Sequence, residues 1–254
     1  MLRPRIIPVL LLKSGGLAKG IRFREFKYVG DPMNAVRIFN EKNVDELFLL
    51  DVTATQEGRT PSTDMVQRIA DESYMPFGVG GGLRTVAQMR DLLRAGAEKI
   101  SINTAAVETP EVIREASENF GRQSVTVSID VKRDWRGRAE VYTRSGTQKT
   151  GRDPVDWAQQ AEQLGAGEIL LTAIDRDGTG AGYDVPLIRA VADAVKIPVI
   201  ACGGAGKYAD FVEAIQQGCA SAVAAGSFFV FHGSHRAVLI NYPGEEMWEQ
   251  ALAS

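Results

Sequence analysis

The chain has 254 residues, 44% of them hydrophobic, and a formal net charge of −3 with both signs scattered. That length fits one large α/β domain or two small ones, and the charge pattern offers no stripe for nucleic acid and no patch for a membrane surface. No apolar run approaches the roughly 18 residues of a membrane span, Met1-Leu2-Arg3-Pro4-Arg5 lacks a signal-peptide layout, and Cys202 and Cys219 do not make a disulfide framework, so a soluble cytoplasmic protein is expected.

In chain order, short apolar runs alternate with helical patterns eight times. Strands are expected near 5–12, 46–52, 76–80, 98–103, 124–131, 168–174, 197–202 and 221–226. Each is rich in Val, Ile, Leu or Ala, as strands buried on both faces are. Asp31-Pro32, Thr109-Pro110 and Asp153-Pro154 pair a cap residue with a proline at the first helical position, and Thr85 and Asp184 are further caps. Gly96, Gly121, Gly165 and Gly218 mark helix ends. Eight strand–helix units predict an α/β protein, a (β/α)8 TIM barrel occupying residues 1–254 as a single domain. A doubly wound open sheet is the alternative. Two long segments break the rhythm. Residues 14–30 carry four glycines, and residues 132–151 alternate like an inserted β-hairpin. Both follow strands, so both belong on the face where βα loops gather.

The two halves repeat each other. At an offset of 122 residues, Asp31-Pro32 lands on Asp153-Pro154, Glu46 on Glu168, Gly81-Gly82 on Gly203-Gly204, and Gly96 on Gly218. The first strand aligns at an offset of 119, which sets Leu11 against Asp130. A duplicated site would place a carboxylate at both positions, and only Asp130 carries one.

Glycine clusters end the third and seventh strands. Gly80-Gly81-Gly82 follows the third and Gly203-Gly204-Ala205-Gly206 the seventh, beside Ile102-Asn103-Thr104 and Ala225-Gly226-Ser227. Glycine lets backbone N–H groups close on an anion. Two such sites would hold a ligand with a phosphate at each end; tight turns alone are the plainer reading. Asp130 ends the fifth strand, where a barrel places general acids and bases. It could instead cap a helix or pair with Lys132. Asp51 and Asp177 are supporting carboxylates, although Asp175-Arg176-Asp177-Gly178 could be a self-paired turn. Arg5, Glu46, Lys99 and Glu168 stand at strand starts. By strand alternation they either ring the barrel axis or sit solvated at its rim. His232 and His235 have H-x-x-H spacing without further ligands in register, so no metal and no cofactor is expected.

Together these residues resemble the cyclase subunit of imidazole glycerol phosphate synthase. The matching stretches are Arg5-Ile6-Ile7-Pro8, Leu49-Leu50-Asp51-Val52-Thr53-Ala54, Val79-Gly80-Gly81-Gly82-Leu83-Arg84, Lys99-Ile100-Ser101-Ile102-Asn103, Glu168-Ile169-Leu170-Leu171-Thr172, Asp175-Arg176-Asp177-Gly178-Thr179 and Gly203-Gly204-Ala205-Gly206. The resemblance implies a barrel that docks a class I glutaminase subunit on its N-terminal floor and passes ammonia to a bis-phosphorylated substrate at the top. It implies a gate of Arg5, Glu46, Lys99 and Glu168 and a partner interface at Asp45, Glu98 and Gln123. It implies a substrate site of Lys19, Asp51, Gly81, Gly82, Asn103, Thr104, Thr172, Asp177, Gly178, Gly203, Gly204, Ala225 and Gly226, with Asp130 catalytic. Two departures stand out. Leu11 occupies the place of the family's first catalytic aspartate, and the tail from Phe228 to Pro243 differs. Both resemble a divergent paralogue set encoded with surface-polysaccharide genes. There the barrel and its glutaminase supply ammonia to a separate amidotransferase acting on a nucleotide-linked amino sugar.

Three functions therefore compete: an active cyclase, an ammonia-conducting barrel without cyclase turnover, and a sugar-phosphate isomerase of the sister half-barrel family. The ring, Lys19 and the inserted hairpin argue against the third, whose chemistry also needs two acids.

Overall fold

The computed structural model describes residues 3–233, 235–244, 248, 251 and 252. Met1, Leu2 and Ser254, at the expected domain limits, lie outside them. Eight parallel strands close on themselves: β1 (Arg5–Lys13), β2 (Leu47–Asp51), β3 (Phe77–Gly80), β4 (Lys99–Ile102), β5 (Val125–Arg133), β6 (Glu168–Ala173), β7 (Val199–Cys202) and β8 (Ala222–Ala225). Each pairs with its neighbours in sequence, and β1 pairs with β8 through Arg5 opposite Ala222 to Pro8 opposite Ala225. The closed barrel replaces the open-sheet alternative.

Helices α1 (Pro32–Glu41), α2 (Thr63–Glu72), α3 (Val86–Arg94), α4 (Glu111–Phe120), α5 (Pro154–Leu164), α6 (Val185–Ala194) and α7 (Tyr208–Gln216) return the chain. Most start as the sequence indicates. Asp31 accepts from the Asn34 N–H, Asp153 from those of Val155 and Asp156, Asp184 from that of Leu187, and Thr85 forms a reciprocal capping box with Gln88. Each satisfies an N–H that the helix leaves unpaired. Thr109 is a correction. Its hydroxyl caps nothing; helix α4 is preceded by Pro110 in a helical conformation, and the Thr109 carbonyl accepts from Val112. Gly96, Gly121 and Gly165 take positive φ at helix ends. Gly218 does not. Its lack of a side chain lets it close on the Ala214 carbonyl, and Cys219 takes the left-handed turn at φ 56°.

The apolar residues divide into two cores. The larger lies between barrel and helices; the smaller fills the barrel with Ile7, Val9, Phe48, Leu170, Ile200, Cys202, Ala222 and Ala224. The inserted hairpin forms as expected, Ala139–Thr143 pairing with β5 and with Gln148–Lys149. The first long loop is also sheet: Gly16–Ile21 folds back on β1 and pairs with Arg24–Gly30. Its glycines concealed that pattern. Among the described residues no helix is long and apolar enough to cross a membrane.

Candidate functional site

The strand starts converge on the barrel floor. Arg5 Nη2 lies 2.9 Å from Glu168, and Arg5 Nη1 pairs with Glu46. Lys99 Nζ lies 2.6 Å from Glu168 and 2.7 Å from Glu46. Two cations and two anions thus alternate in a closed ring, and the reading of loosely solvated strand ends is set aside. Burial pushes the Glu46 carboxyl up against the pull of Lys99 and Arg5. At Glu168 burial also acts upward, but the same two cations outweigh it and hold the carboxyl below its ordinary range. Glu46 Oε1 faces Lys99 as its ion-pair partner, and the Glu46 carboxylate is buried in the ring.

The floor residues differ in availability. Glu98 and Gln123 are exposed. The Asp45 carboxylate is engaged within the chain: it lies 2.5 Å from Arg3, accepts from the Ile6 N–H at 2.8 Å and accepts from the Tyr242 hydroxyl at 3.2 Å.

Above the interior core a cavity opens between the βα loops. Its wall includes Leu11, Lys19, Asp51, Gly81, Gly82, Asn103, Thr104, Asp130, Thr172, Asp177 and Gly226. Gly178, Gly203, Gly204 and Ala225 are not part of that wall. A Cβ on Gly203 would press on Ala173, and Ala225 is a buried strand residue opposite Pro8. Gly81, Gly82, Gly203 and Gly204 all take positive φ, so the duplicated glycines make duplicated turns.

The carboxylates are strongly perturbed. Burial, then the neighbouring Asp177, pushes Asp130 up to about 7, against a Thr172 hydrogen bond. Asn103 donates to it at 3.3 Å; among the described residues it caps no helix, and Lys132 lies over the Tyr142 ring instead of pairing with it. Burial raises Asp177 to about 6 although Lys19 opposes the shift. The Asp-Arg-Asp-Gly stretch is a turn, in which the Thr179 N–H donates to the Arg176 carbonyl, but its charged side chains do not pair with each other: Asp175 accepts from the Arg133 N–H, and Arg176 donates to the Ala181 and Gly182 carbonyls. Lys19 is buried, donates to the Val9 carbonyl and is lowered to about 8 by burial. Groups so perturbed in one cleft are what proton transfer near neutral pH requires.

Asp51 is less free. It accepts from the N–H groups of Thr53 and Ala54 and is forked by Arg59 at 2.5 and 3.2 Å. Arg59 was not visible as a site residue in the sequence, because no periodicity links positions 51 and 59. Nor were the roof contacts, where Ser145 donates to the Val52 carbonyl and Gly146 abuts Phe23. His232 lies in a short strand and both histidines are exposed, so they share no helix face.

A closed (β/α)8 barrel with a charged floor ring and a loop-lined cavity above an apolar interior defines the class. The profile of the histidine biosynthesis protein family matches residues 5–235. A Pseudomonas aeruginosa protein, provisionally named imidazole glycerol phosphate synthase subunit hisF2, is 50% identical over 243 residues, 96% of this chain and 97% of its own. The imidazole glycerol phosphate synthase subunit HisF of Alkaliphilus metalliredigens is 46% identical over 232 residues, 91% of this chain and 92% of its own. A Vibrio vulnificus protein, provisionally named subunit hisF3, is 45% identical over 253 residues, 99% of this chain and 97% of its own. The chain belongs to the histidine biosynthesis protein family, among its HisF-like imidazole glycerol phosphate synthase subunits.

Proposed function

We propose that this barrel docks a class I glutaminase on its floor and conducts ammonia to the cavity, without effective cyclase turnover of its own. The ammonia then serves a separate amino-sugar amidotransferase of surface-polysaccharide synthesis. The observation that carries this reading is Leu11 on the cavity wall that also holds Asp130. In the family it resembles, two opposed aspartates act as acid and base, and a leucine side chain transfers no proton at any pH. The ring supports the conduit. Its buried carboxylates, Glu46 and Glu168, are acceptors suited to a passing N–H donor, and neutral ammonia crosses the apolar interior above them at far lower cost than an ion. The phosphate-end glycines, Lys19 and Asp177 remain to bind a phosphorylated ligand that signals occupancy.

The second reading is an active cyclase, supported by Asp130, Asp177 and Lys19 still meeting in one cavity. A turnover assay with free ammonium and the bis-phosphorylated aminoimidazole precursor separates the two. The conduit reading expects product formation at least about 10²-fold below that of a two-aspartate relative, the lower bound for losing a positioned acid or base. Comparable turnover would establish the cyclase instead. A glutaminase that neither binds this barrel nor gains activity from it would remove the docking reading.

A further inference from the structure

The tail is where the chain departs from the family it resembles, and it returns to the cavity rim. After β8 a one-turn helix, Ser227–Val230, leads into a small hairpin in which Phe231 pairs with Val238 and His232 with Ala237. The hairpin is tied down on its return. Leu239 N–H donates to the Val230 carbonyl at 2.9 Å and Asn241 N–H to that of Phe229 at 2.9 Å. Its turn holds Arg236 at φ 50°, with the Arg236 N–H donating to the Gly233 carbonyl at 3.1 Å. The guanidinium carbon lies 4.4 Å from the centre of the Phe231 ring, and Nη1 is 3.5 Å from the carbonyl of Gly178.

Gly178 belongs to the loop after β6 and follows Asp177, which lines the cavity together with Gly226, a residue of the second expected anion end. Among the described residues no carboxylate lies within ion-pairing distance of Arg236, whereas Arg5, Arg37, Arg59 and Arg133 all have one. An exposed guanidinium stacked on an aromatic ring, steered by a backbone carbonyl and with no counter-charge among the described residues, is pre-organised for an anion. Its planar fork matches a phosphate, giving charge-assisted bonds that a neutral backbone cradle does not supply.

We propose that Arg236 is a phosphate-binding residue, delivered by the tail hairpin to the second anion end of the cavity. It adds a cation to the glycine turns there and binds the terminal phosphate of a two-ended ligand. This rests on the reading of the glycine turns as phosphate sites. The hydrogen bond to Gly178 also has a purely structural explanation, a clamp that fixes the hairpin, and the variants must divide the two. Arg236→Gln keeps an N–H donor for the Gly178 carbonyl and loses the charge; Arg236→Ala loses both.

The experiment is a titration of the wild type and both variants at low and high salt. The probes are the bis-phosphorylated aminoimidazole precursor, followed by calorimetry, and inorganic phosphate, followed by 31P NMR. Thermal unfolding shows that each variant is folded. The expected result is about a tenfold weaker affinity for both variants, roughly 1.4 kcal/mol, with the gap narrowing at high salt. Binding by Arg236→Gln equal to wild type overturns the proposal and leaves the clamp, while the two-ended reading stands. An effect of Arg236 on inorganic phosphate with no binding of the bis-phosphate upholds the residue and sinks the two-ended ligand. A wild type that binds neither probe sinks both.

Discussion

At the residue scale, the proposed function turns on positions 11 and 130. Leu11 and Asp130 share the cavity wall, so placing an acid at position 11 is a direct test. Leu11→Asp is expected to raise cyclase turnover with ammonium by about 10²-fold or more. The variant buries a third carboxylate near two already raised ones, so its melting temperature should fall. Turnover that does not respond in a folded variant would mean that Leu11 is not what limits the chemistry. Asp130 gives a pH signature. Its carboxyl is raised from about 3.8 to about 7, so the folded chain binds a proton that the unfolded chain releases in that window. Stability therefore falls as pH rises from about 4 to about 7. Asp130→Asn removes that loss. It should be more stable than wild type at pH 8, by on the order of 1–2 kcal/mol with allowance for cavity solvent, and the difference should close near pH 4. Urea unfolding at both pH values measures it. A constant difference would place the Asp130 carboxyl near its ordinary range. The two aspartates could be singled out in the sequence because strand ends in a barrel carry function; their raised values could not, since burial and mutual repulsion exist only after folding.

At the element scale, local signals act where the chain itself supplies both partners. Asp153 caps α5 through two N–H groups within three residues, at 2.8 and 3.2 Å. Asp153→Ala should cost about 1 kcal/mol. Thr109→Ala should stay within about 0.5 kcal/mol, because the Thr109 hydroxyl caps no helix. Chemical denaturation of the two variants compares them; equal losses would mean that the Thr-Pro and Asp-Pro starts work alike. The loops were harder to read. The inserted hairpin announced itself by alternation, but residues 14–30 pair as strands through glycines and a register shift, which no period-2 pattern reveals. Cys219 taking the left-handed turn in place of Gly218 is similarly set by the Ala214 carbonyl, against which Gly218 must close.

At the scale of the whole molecule, the floor ring joins residues from β1, β4 and β6 with Glu46, which immediately precedes β2. Glu46 is 2% exposed and Lys99 19% at the side chain, so removing one member leaves buried charge uncompensated. Lys99→Ala should destabilise the barrel by about 3 kcal/mol. The two carboxylates then repel with only Arg5 between them, so the loss should shrink toward pH 5 as one takes up a proton. In the assembly reconstituted with a glutaminase, the ratio of glutamine-driven to ammonium-driven product should fall while glutamine hydrolysis continues. An unchanged ratio would remove the ring from the ammonia route. The tail also spans the molecule: Arg236 reaches the Gly178 carbonyl at the rim, and the Tyr242 hydroxyl donates to the Ile6 carbonyl at 3.0 Å on the floor.

By itself the sequence determined the eight-unit rhythm, the duplication and most helix starts, because these rest on short-range periodicity and on caps a few residues apart. It also determined the identities at the paired positions, so that Leu11 faces an alignment with Asp130 and Glu46 with Glu168. The tertiary structure alone decided that the strand-start charges form a closed ring and do not splay into solvent, that Asp51 is held by Arg59 and Asp45 by Arg3 and Tyr242, and that the tail sets Arg236 against the Gly178 carbonyl. Each of these contacts joins groups that only barrel closure or loop packing brings within hydrogen-bonding range, and their energies depend on burial that no local segment possesses.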